Sequence, residues 1–122
     1  MTTTKESVEI HGATIRRESV SAEEGITESI DINILTEFAA ALIHMASVPT
    51  DLESFTIGID SVSGSANDTV LKSYNFAAGS AADLNWLPGE GLYLFPGDKI
   101  TLSFANSGSV VTGAQVVLKE YL

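Results

Sequence analysis

The chain alternates apolar and polar residues over most of its length. The run "ITESIDINI" places Ile30, Ile32 and Ile34 on one face, and the run "SFTIGID" does the same with Phe55 and Ile57. A period of two residues is typical of a β-strand with one buried face. Such runs recur from "SVEIHGATI" to "AQVVLKEYL" and predict about seven or eight short strands. This spacing predicts an all-β fold, a sandwich or barrel of antiparallel strands.

The segment "LYLFPGDKITLSF" predicts a regular hairpin. Leu92 and Leu94 share one face of its first strand, and Pro96-Gly97-Asp98 forms a corner. Ile100, Leu102 and Phe104 then follow in register, on the strand expected to return beside the first.

The run "TVLKSYNF" is less regular. Val70, Tyr74 and Phe76 share a face with Lys72, while Leu71 lies on the opposite face. An inward or flanking lysine discourages association between sheet edges, so this run is predicted to be an edge strand.

Residues 36–47, "TEFAAALIHMAS", fit two structures. A helix would align Phe38, Leu42 and Met45 on one face and would contain three alanines, which favour helices. A strand over residues 41–48 would place Ile43 and Met45 opposite Leu42. The strand is favoured because the flanking elements are strands.

The turn residues between these runs form no linker, and no internal repeat is present, so the sequence predicts one domain. The start "MTTTKESVEI" is rich in Thr and lacks the apolar centre of a signal peptide, which indicates synthesis in the cytoplasm. We divide the chain into an N-terminal arm, residues 1–9, and a β-sandwich domain, residues 10–122.

Composition excludes several classes of function. The 16 acidic residues outnumber the 6 Lys and Arg and give a net charge of -10, which disfavours binding to nucleic acid. Without cysteine there is no disulfide, thiolate metal site or thiol nucleophile. The longest apolar run, residues 38–46, is far shorter than the ~20 residues of a membrane helix, so no membrane partner is expected.

Candidate catalytic groups are few. His11 and His44 are the only histidines, and no Gly-x-Ser-x-Gly turn is present, so we predict no catalytic residue, cofactor or metal. His44 lies in an apolar segment, and we interpret it as a packed histidine bonded to the backbone.

Acidic residues at loops and strand ends form the one possible set of hard-metal ligands. No Asp-x-Asp-x-Asp-Gly calcium loop is present, so we interpret them as solubilising charges. The residues are Asp51, Glu53, Asp60, Asp68 and Asp83.

Two groups of residues are candidates for binding a partner. Lys5 and the pair Arg16-Arg17 form the basic group, which is either a solvated strand end or a docking point for an acidic partner. Trp86 lies beside a Pro-Gly corner, where a large ring caps the core or reaches a partner.

Tyr93 and Phe95 complete the aromatic group of candidates. They alternate with Leu92 and Leu94, so both faces of this strand carry apolar bulk. Either the strand is covered on both sides or one face meets another protein.

The second part of the chain contains the step "GSANDTVL", the turn "NWLP" and the segment "LYLFPGDKITLSFANS". With these features, and above all with the last of them, residues 55–122 resemble small jelly-roll-like structural proteins of tailed phages. It implies a jelly-roll-like β-sandwich and a non-enzymatic role as a head decoration or cement protein, located on the capsid surface of the virion. The implied partners are the major capsid protein and further copies of the chain, with a trimer favoured.

Within that interpretation, the arm of residues 1–9 and the strand end at Arg16 and Arg17 form the expected capsid-binding surface. The alternative is a receptor- or carbohydrate-binding module of a fibre or tail tip, with Trp86 and Tyr93 as platforms for the ligand.

Overall fold

A computed structural model describes residues 1–47, 53–76 and 83–121. Within these ranges the chain forms strands and one short 3-10 helix, residues Ser65–Asn67. The strands are β1 (Thr2–Ile10), β2 (Ala13–Ala22), β3 (Ile26–Asp31), β4 (Thr36–Met45), β5 (Glu53–Asp60), β6 (Thr69–Phe76), β7 (Asp83–Trp86), β8 (Tyr93–Leu94), β9 (Lys99–Phe104) and β10 (Thr112–Tyr121).

The strands form two antiparallel sheets. The larger sheet has the order β1-β2-β10-β4-β7, with β8 also pairing with β4, and the smaller sheet has the order β3-β9-β5-β6. The pairs β2 with β10, β3 with β9, β4 with β7 and β8, and β5 with β6 are nested along the chain. This arrangement is one long hairpin rolled into a double sheet, as in a jelly roll. The predicted all-β, jelly-roll-like sandwich is confirmed.

The core lies between the two sheets and is built by the alternating residues. Phe38 and Leu118 from the larger sheet and Phe55 and Phe104 from the smaller sheet are buried. The rings of Phe55 and Phe104 stack with centroids 5.6 Å apart. Ile30 and Ile57 are also buried, in agreement with the period-two pattern.

The hairpin predicted over "LYLFPGDKITLSF" is wrong. β8 pairs with β4 in the larger sheet, whereas β9 pairs with β3 and β5 in the smaller sheet. The Pro-Gly-Asp corner therefore carries the chain from one sheet to the other. Alternation gives the inward face of each strand but does not identify its neighbour.

The corner has the geometry of a type II turn. Asp98 N–H donates to the Phe95 carbonyl at 3.0 Å, Pro96 occupies the second position, and Gly97 has a φ of 96°. A Cβ at Gly97 would lie 2.6 Å from Val62 Cγ2. Glycine is therefore required here both by conformation and by close approach.

The segment that the sequence separates as an arm is an edge strand in the structure. β1 pairs with β2 along its whole length, from Thr2 opposite Ser21 to Ile10 opposite Ala13. All nine of its residues are exposed.

β6 lies at the edge of the smaller sheet, as predicted, and its predicted inward face is correct at Tyr74 and Phe76 but wrong at Val70 and Leu71. The register shifts opposite Ile57 and Gly58, so Leu71 is the extra residue of a β-bulge. Leu71 packs against the core, and Val70 is 63% exposed instead of sharing the face of buried Phe76.

The ambiguous segment forms a strand and not a helix over Thr36–Met45, where β4 pairs with β10 on one side and with β7 and β8 on the other. The strand begins at Thr36, earlier than predicted, and Ile43 and Met45 lie opposite Leu42 as predicted, on the buried face. The predicted end at Val48 lies outside the described residues.

We expect Gly97→Ala to lower the free energy of unfolding by about 2–3 kcal/mol, because a methyl group would add overlap with Val62 to backbone strain. Gly91→Ala is the matched control, since Gly91 has a φ of 93° and nothing within 4 Å of its Cβ position. It should lose only about 1 kcal/mol. Equal losses in urea denaturation would show that the approach to Val62 is unimportant.

Candidate partner-binding surface

The outer face of the larger sheet carries continuous rows of cross-strand neighbours. One row runs across β1, β2, β10, β4 and β8 as Val8, Ile15, Lys119, Glu37 and Tyr93. Residues in such rows lie close enough to form one surface. The residues of this face therefore come from different strands and are not consecutive in the sequence.

One end of this face, near the turn between β1 and β2, is apolar. Val8 is 56% exposed and Ile10 48% exposed. Val8, Ile15 and Val117 line a shallow depression of about 320 Å³, which is bordered by Glu6 and Arg17. We call Val8, Ile10, Ile15 and Val117 the apolar patch.

Elsewhere on the described strands the exposed side chains are mostly polar, and Val70 of β6 and Tyr93 of β8 are the large apolar side chains exposed there. The far end of the same face carries Thr and Ser from β1 and β2. The outer face of the smaller sheet pairs Thr and Ser across its strands, as in Thr27 with Ser103 and Ser29 with Thr101. The apolar patch therefore distinguishes one face of the sandwich from the other.

The structure brings Lys5 and Arg16 to the same carboxylate, that of Glu18, and separates Arg17 from them. Arg16 and Arg17 lie in the middle of β2, not at a strand end, and as adjacent residues they point to opposite faces. Arg17 lies on the outer face, where its Nη2 and Nε atoms donate to Glu6 Oε1 at 2.6 and 3.2 Å.

Arg16 lies on the inner side of the sheet within a group of charges, and its side chain is only 12% exposed. Its Nη2 donates to the Asp31 carbonyl at 3.1 Å, and its Nη1 is 3.1 Å from Glu18 Oε2. Glu120 Oε2 lies 4.0 Å from Arg16 Nε, and Lys5 Nζ lies 3.8 Å from Glu18. Arg16 thus neutralises carboxylates at the margin of the core, whereas Lys5 extends from the edge strand.

The three aromatic candidates also separate. Trp86 faces inward and packs edge-to-face on Phe38, with ring centroids 5.5 Å apart. Tyr93 lies on the outer face, and Phe95 is exposed at the corner after β8. Trp86 covers the end of the core, so only Tyr93 and Phe95 are presented to solvent as large surfaces.

Tyr93 belongs to a small polar and aromatic cluster beside the apolar patch. Its ring centroid is 6.2 Å from that of Tyr121, and the Tyr121 hydroxyl donates to Glu37 Oε1 at 3.4 Å. Lys119 Nζ lies 5.2 Å from the centre of the Tyr121 ring. The negative charge of Glu37, followed by that of Tyr121, raises the pKa of Tyr93 above its ordinary value.

His44 is not the packed histidine that the sequence indicates. Its side chain is exposed on the outer face of β4, where its Nδ1 hydrogen-bonds Asp83 Oδ1 of β7. His11 occupies a turn with a φ of 48°. The two histidines therefore lie in separate places, His44 in β4 and His11 in the turn between β1 and β2.

The acidic candidates are dispersed. Asp60 and Asp68 border a shallow depression on the smaller sheet, and Asp68 Oδ1 accepts from Ser61 N–H at 2.8 Å. Glu53 accepts from Ser107 N–H at 2.9 Å, and Asp83 belongs to the larger sheet. Asp51 lies outside the described residues. In the described ranges, no group of three or more His, Asp or Glu side chains is placed to hold a metal ion.

Sequence reasoning missed the apolar patch. Val8 and Ile10 were visible as an alternating pair, but the patch forms only when β1 lies beside Ile15 and when β10 brings Val117 alongside. The signal that could have found it is the turn at His11-Gly12, which predicts that β1 and β2 are paired.

No protein family and no curated protein matches the chain. Among solved structures, the chain is similar to a candidate mannose-6-phosphate isomerase from Ralstonia eutropha JMP134, with a TM-score of 0.35 and 10% identity. The match covers 99% of this chain and 86% of the other. At this TM-score it carries no argument about fold or chemistry.

No helix in the part of the chain that the structure describes is long and apolar enough to cross a membrane.

Removing Arg16 should destabilise the fold much more than removing Arg17. Arg16→Ala would leave the carboxylate of Glu18, which is only 12% exposed, with no cation among the described residues except Lys5 at 3.8 Å, so we expect a loss of about 2 kcal/mol. Arg17→Ala breaks a pair whose arginine is 47% exposed, and should cost less than about 1 kcal/mol. Urea denaturation of both variants measures the difference, and a reversed order would contradict the assignment of faces.

Tyr93 should ionise at a higher pH than a free tyrosine, and Glu37→Gln should shift this ionisation downward by removing the nearest negative charge. Because the folded chain holds this proton more strongly than the unfolded chain, the contribution to stability is complete below the unfolded pKa. It is lost as the pH rises through the folded pKa.

The phenolate absorbance of the wild type, of Glu37→Gln and of Tyr93→Phe measures this pKa, with Tyr93→Phe identifying the contribution of Tyr93. If Glu37→Gln left the pKa of Tyr93 unchanged, the charge of Glu37 would not be the cause of its raised pKa. Added salt should reduce the shift, because the group is exposed.

Proposed function

We propose that the protein is a non-enzymatic structural protein of a tailed-phage virion. It decorates the head by binding the major capsid protein through the outer face of its larger sheet. The capsid assignment rests on the sequence resemblance of residues 55–122, and the choice of face rests on the structure. In this proposal the N-terminal residues do not act as a separate arm, because residues 2–10 are a strand of the sheet that binds the capsid.

The observation that carries the proposal is the contrast between the two outer faces. The smaller sheet presents paired Thr and Ser to solvent, with Val70 as an isolated exposed valine at its edge, whereas the larger sheet presents the four residues of the apolar patch. In a chain with a net charge of -10, a contiguous apolar surface is a site of contact with another protein.

The charges on this face also suit a protein interface. Glu6 is paired with Arg17, and Glu37 stands opposite Lys119 in the cross-strand register. Both of these acidic groups therefore have a basic neighbour on the same face, and Asp83 is hydrogen-bonded to His44. Covering the face does not isolate a charge, which is the costly event in burying ionic groups.

A receptor- or carbohydrate-binding module is the second candidate, and the exposed ring of Tyr93 beside Tyr121 favours it. Aromatic rings on a surface are suitable platforms for a ligand. Trp86 does not contribute to such a platform, because it faces the core on the opposite side of the sheet.

The test is sedimentation of the chain with purified phage heads. We expect a fixed number of copies per head for the wild type. The double variant Val8→Thr, Ile15→Thr should bind at least about tenfold more weakly, because threonine keeps the strand but removes apolar contact. Val70→Thr is the matched control, since Val70 is an exposed valine on the edge of the smaller sheet. It should bind as the wild type does.

Absence of binding by the wild type, together with retention on a glycan array, would replace the decoration role with the ligand-binding one. Equal weakening by Val70→Thr would contradict the choice of face while leaving the role intact.

A further inference from the structure

The outer side of β1 is a long open edge of the larger sheet. Its nine residues are all exposed, and its ladder with β2 contains no register shift. The other edges are shorter or irregular: β6 contains a bulge, β7 has four residues and β3 has six. A straight edge of this length is a template for pairing with another strand.

The turn between β1 and β2 determines which groups of β1 face the open edge. His11 and Gly12 have φ values of 48° and 78°, and Ile10 stands opposite Ala13. In a two-residue hairpin of this type the flanking pair exchanges both main-chain hydrogen bonds. Alternation along β1 then directs the N–H and C=O groups of its odd-numbered residues to the open edge, namely those of Thr3, Lys5, Ser7 and Glu9.

We propose that the partner at this edge is a second copy of the chain. Two β1 strands pair antiparallel about a twofold axis, with Ser7 of one copy opposite Ser7 of the other. Lys5 of each copy then stands opposite Glu9 of the second copy, so two pairs of opposite charge flank the axis. Cross-strand pairs of this kind stabilise a sheet, and the two larger sheets become one continuous sheet.

The charge pattern favours this register over the registers in which the twofold axis passes through a neighbouring residue of β1. Moving the axis to Glu6 would place two Glu6 side chains opposite each other, and moving it to Lys5 would oppose two lysines. Like charges in directly opposite positions are destabilising. Moving the axis to Val8 would shorten the overlap and leave Lys5 beyond the paired segment.

Lys5 and Glu9 are both available for such pairs. The Lys5 side chain is 73% exposed, and its contact with Glu18 is a long one of 3.8 Å. Within the described ranges, no cation lies within 4 Å of Glu9. This inference does not depend on the capsid role. It predicts a closed pair, unlike the trimer implied by the sequence resemblance.

Disulfide cross-linking tests the geometry in a chain that has no native cysteine. Opposite residues of a hydrogen-bonded pair have Cα atoms about 5.5 Å apart, within the range of a disulfide. Mild oxidation of Ser7→Cys should therefore give a covalent dimer. Thr3→Cys is the matched control on the same edge, because it leaves Lys5 and Glu9 in place. Its two cysteines would lie about 26 Å apart along the strands and should not cross-link.

Charge reversal tests the register. Lys5→Glu and Glu9→Lys should each weaken dimerisation about tenfold in sedimentation equilibrium, because each change creates two like-charge pairs. The double variant should return to within about threefold of the wild type, with thermal unfolding confirming that every variant is folded.

Selective cross-linking at Ser7, with rescue by the double variant, would establish that two β1 strands pair in this register. A chain that stays monomeric at all concentrations would overturn it. So would a trimer insensitive to charge reversal, or equal cross-linking of both cysteine variants.

Discussion

The rolled arrangement of the two sheets depends on the hydrogen bonds that Asp98 accepts. Oδ1 accepts from Val62 N–H and Oδ2 from Phe95 N–H, each at 2.9 Å, and the Asp98 carbonyl accepts from Ile32 N–H at 3.0 Å. Val62 follows β5 and Ile32 follows β3, the two neighbours of β9. One buried residue thus fixes where the chain leaves the larger sheet and in which register it enters the smaller one, because unpaired buried donors are costly.

The roll also explains why β1 is the exceptional strand. The nested pairs engage β2 to β10, and β1 lies outside this set, joined only to β2. Every residue of β1 is exposed, although Thr3 borders a depression that Glu28 and Ile30 of the smaller sheet also line. The same strand therefore contributes Val8 and Ile10 to the outer face and an open row of main-chain groups to the edge. Both surfaces arise because β1 is an extra strand at the edge of the rolled hairpin.

Much of the fold followed from residue alternation, because burial on one side of a strand imposes a period of two. Ile30, Phe55 and Ile57 were predicted inward and are buried. Alternation does not specify which strands pair, so the segment containing Asp98 was interpreted as a hairpin although it crosses between sheets. A local bulge displaced Leu71 in a way that no periodic pattern signals. The candidate surface was harder still to predict from the sequence, since its residues lie on separate strands.

The distribution of charge ties these surfaces together. On the outer face of the larger sheet the acidic groups have basic neighbours, as with Glu6 and Arg17. Exposed acids outside this face lie in loops and at strand ends, including Glu23, Glu24, Asp60, Asp68 and Glu90. Like charges on loops oppose nonspecific association, whereas a face with balanced charges does not. The net charge of -10 therefore directs contact toward the outer face and the β1 edge, where apolar residues and complementary charges coincide.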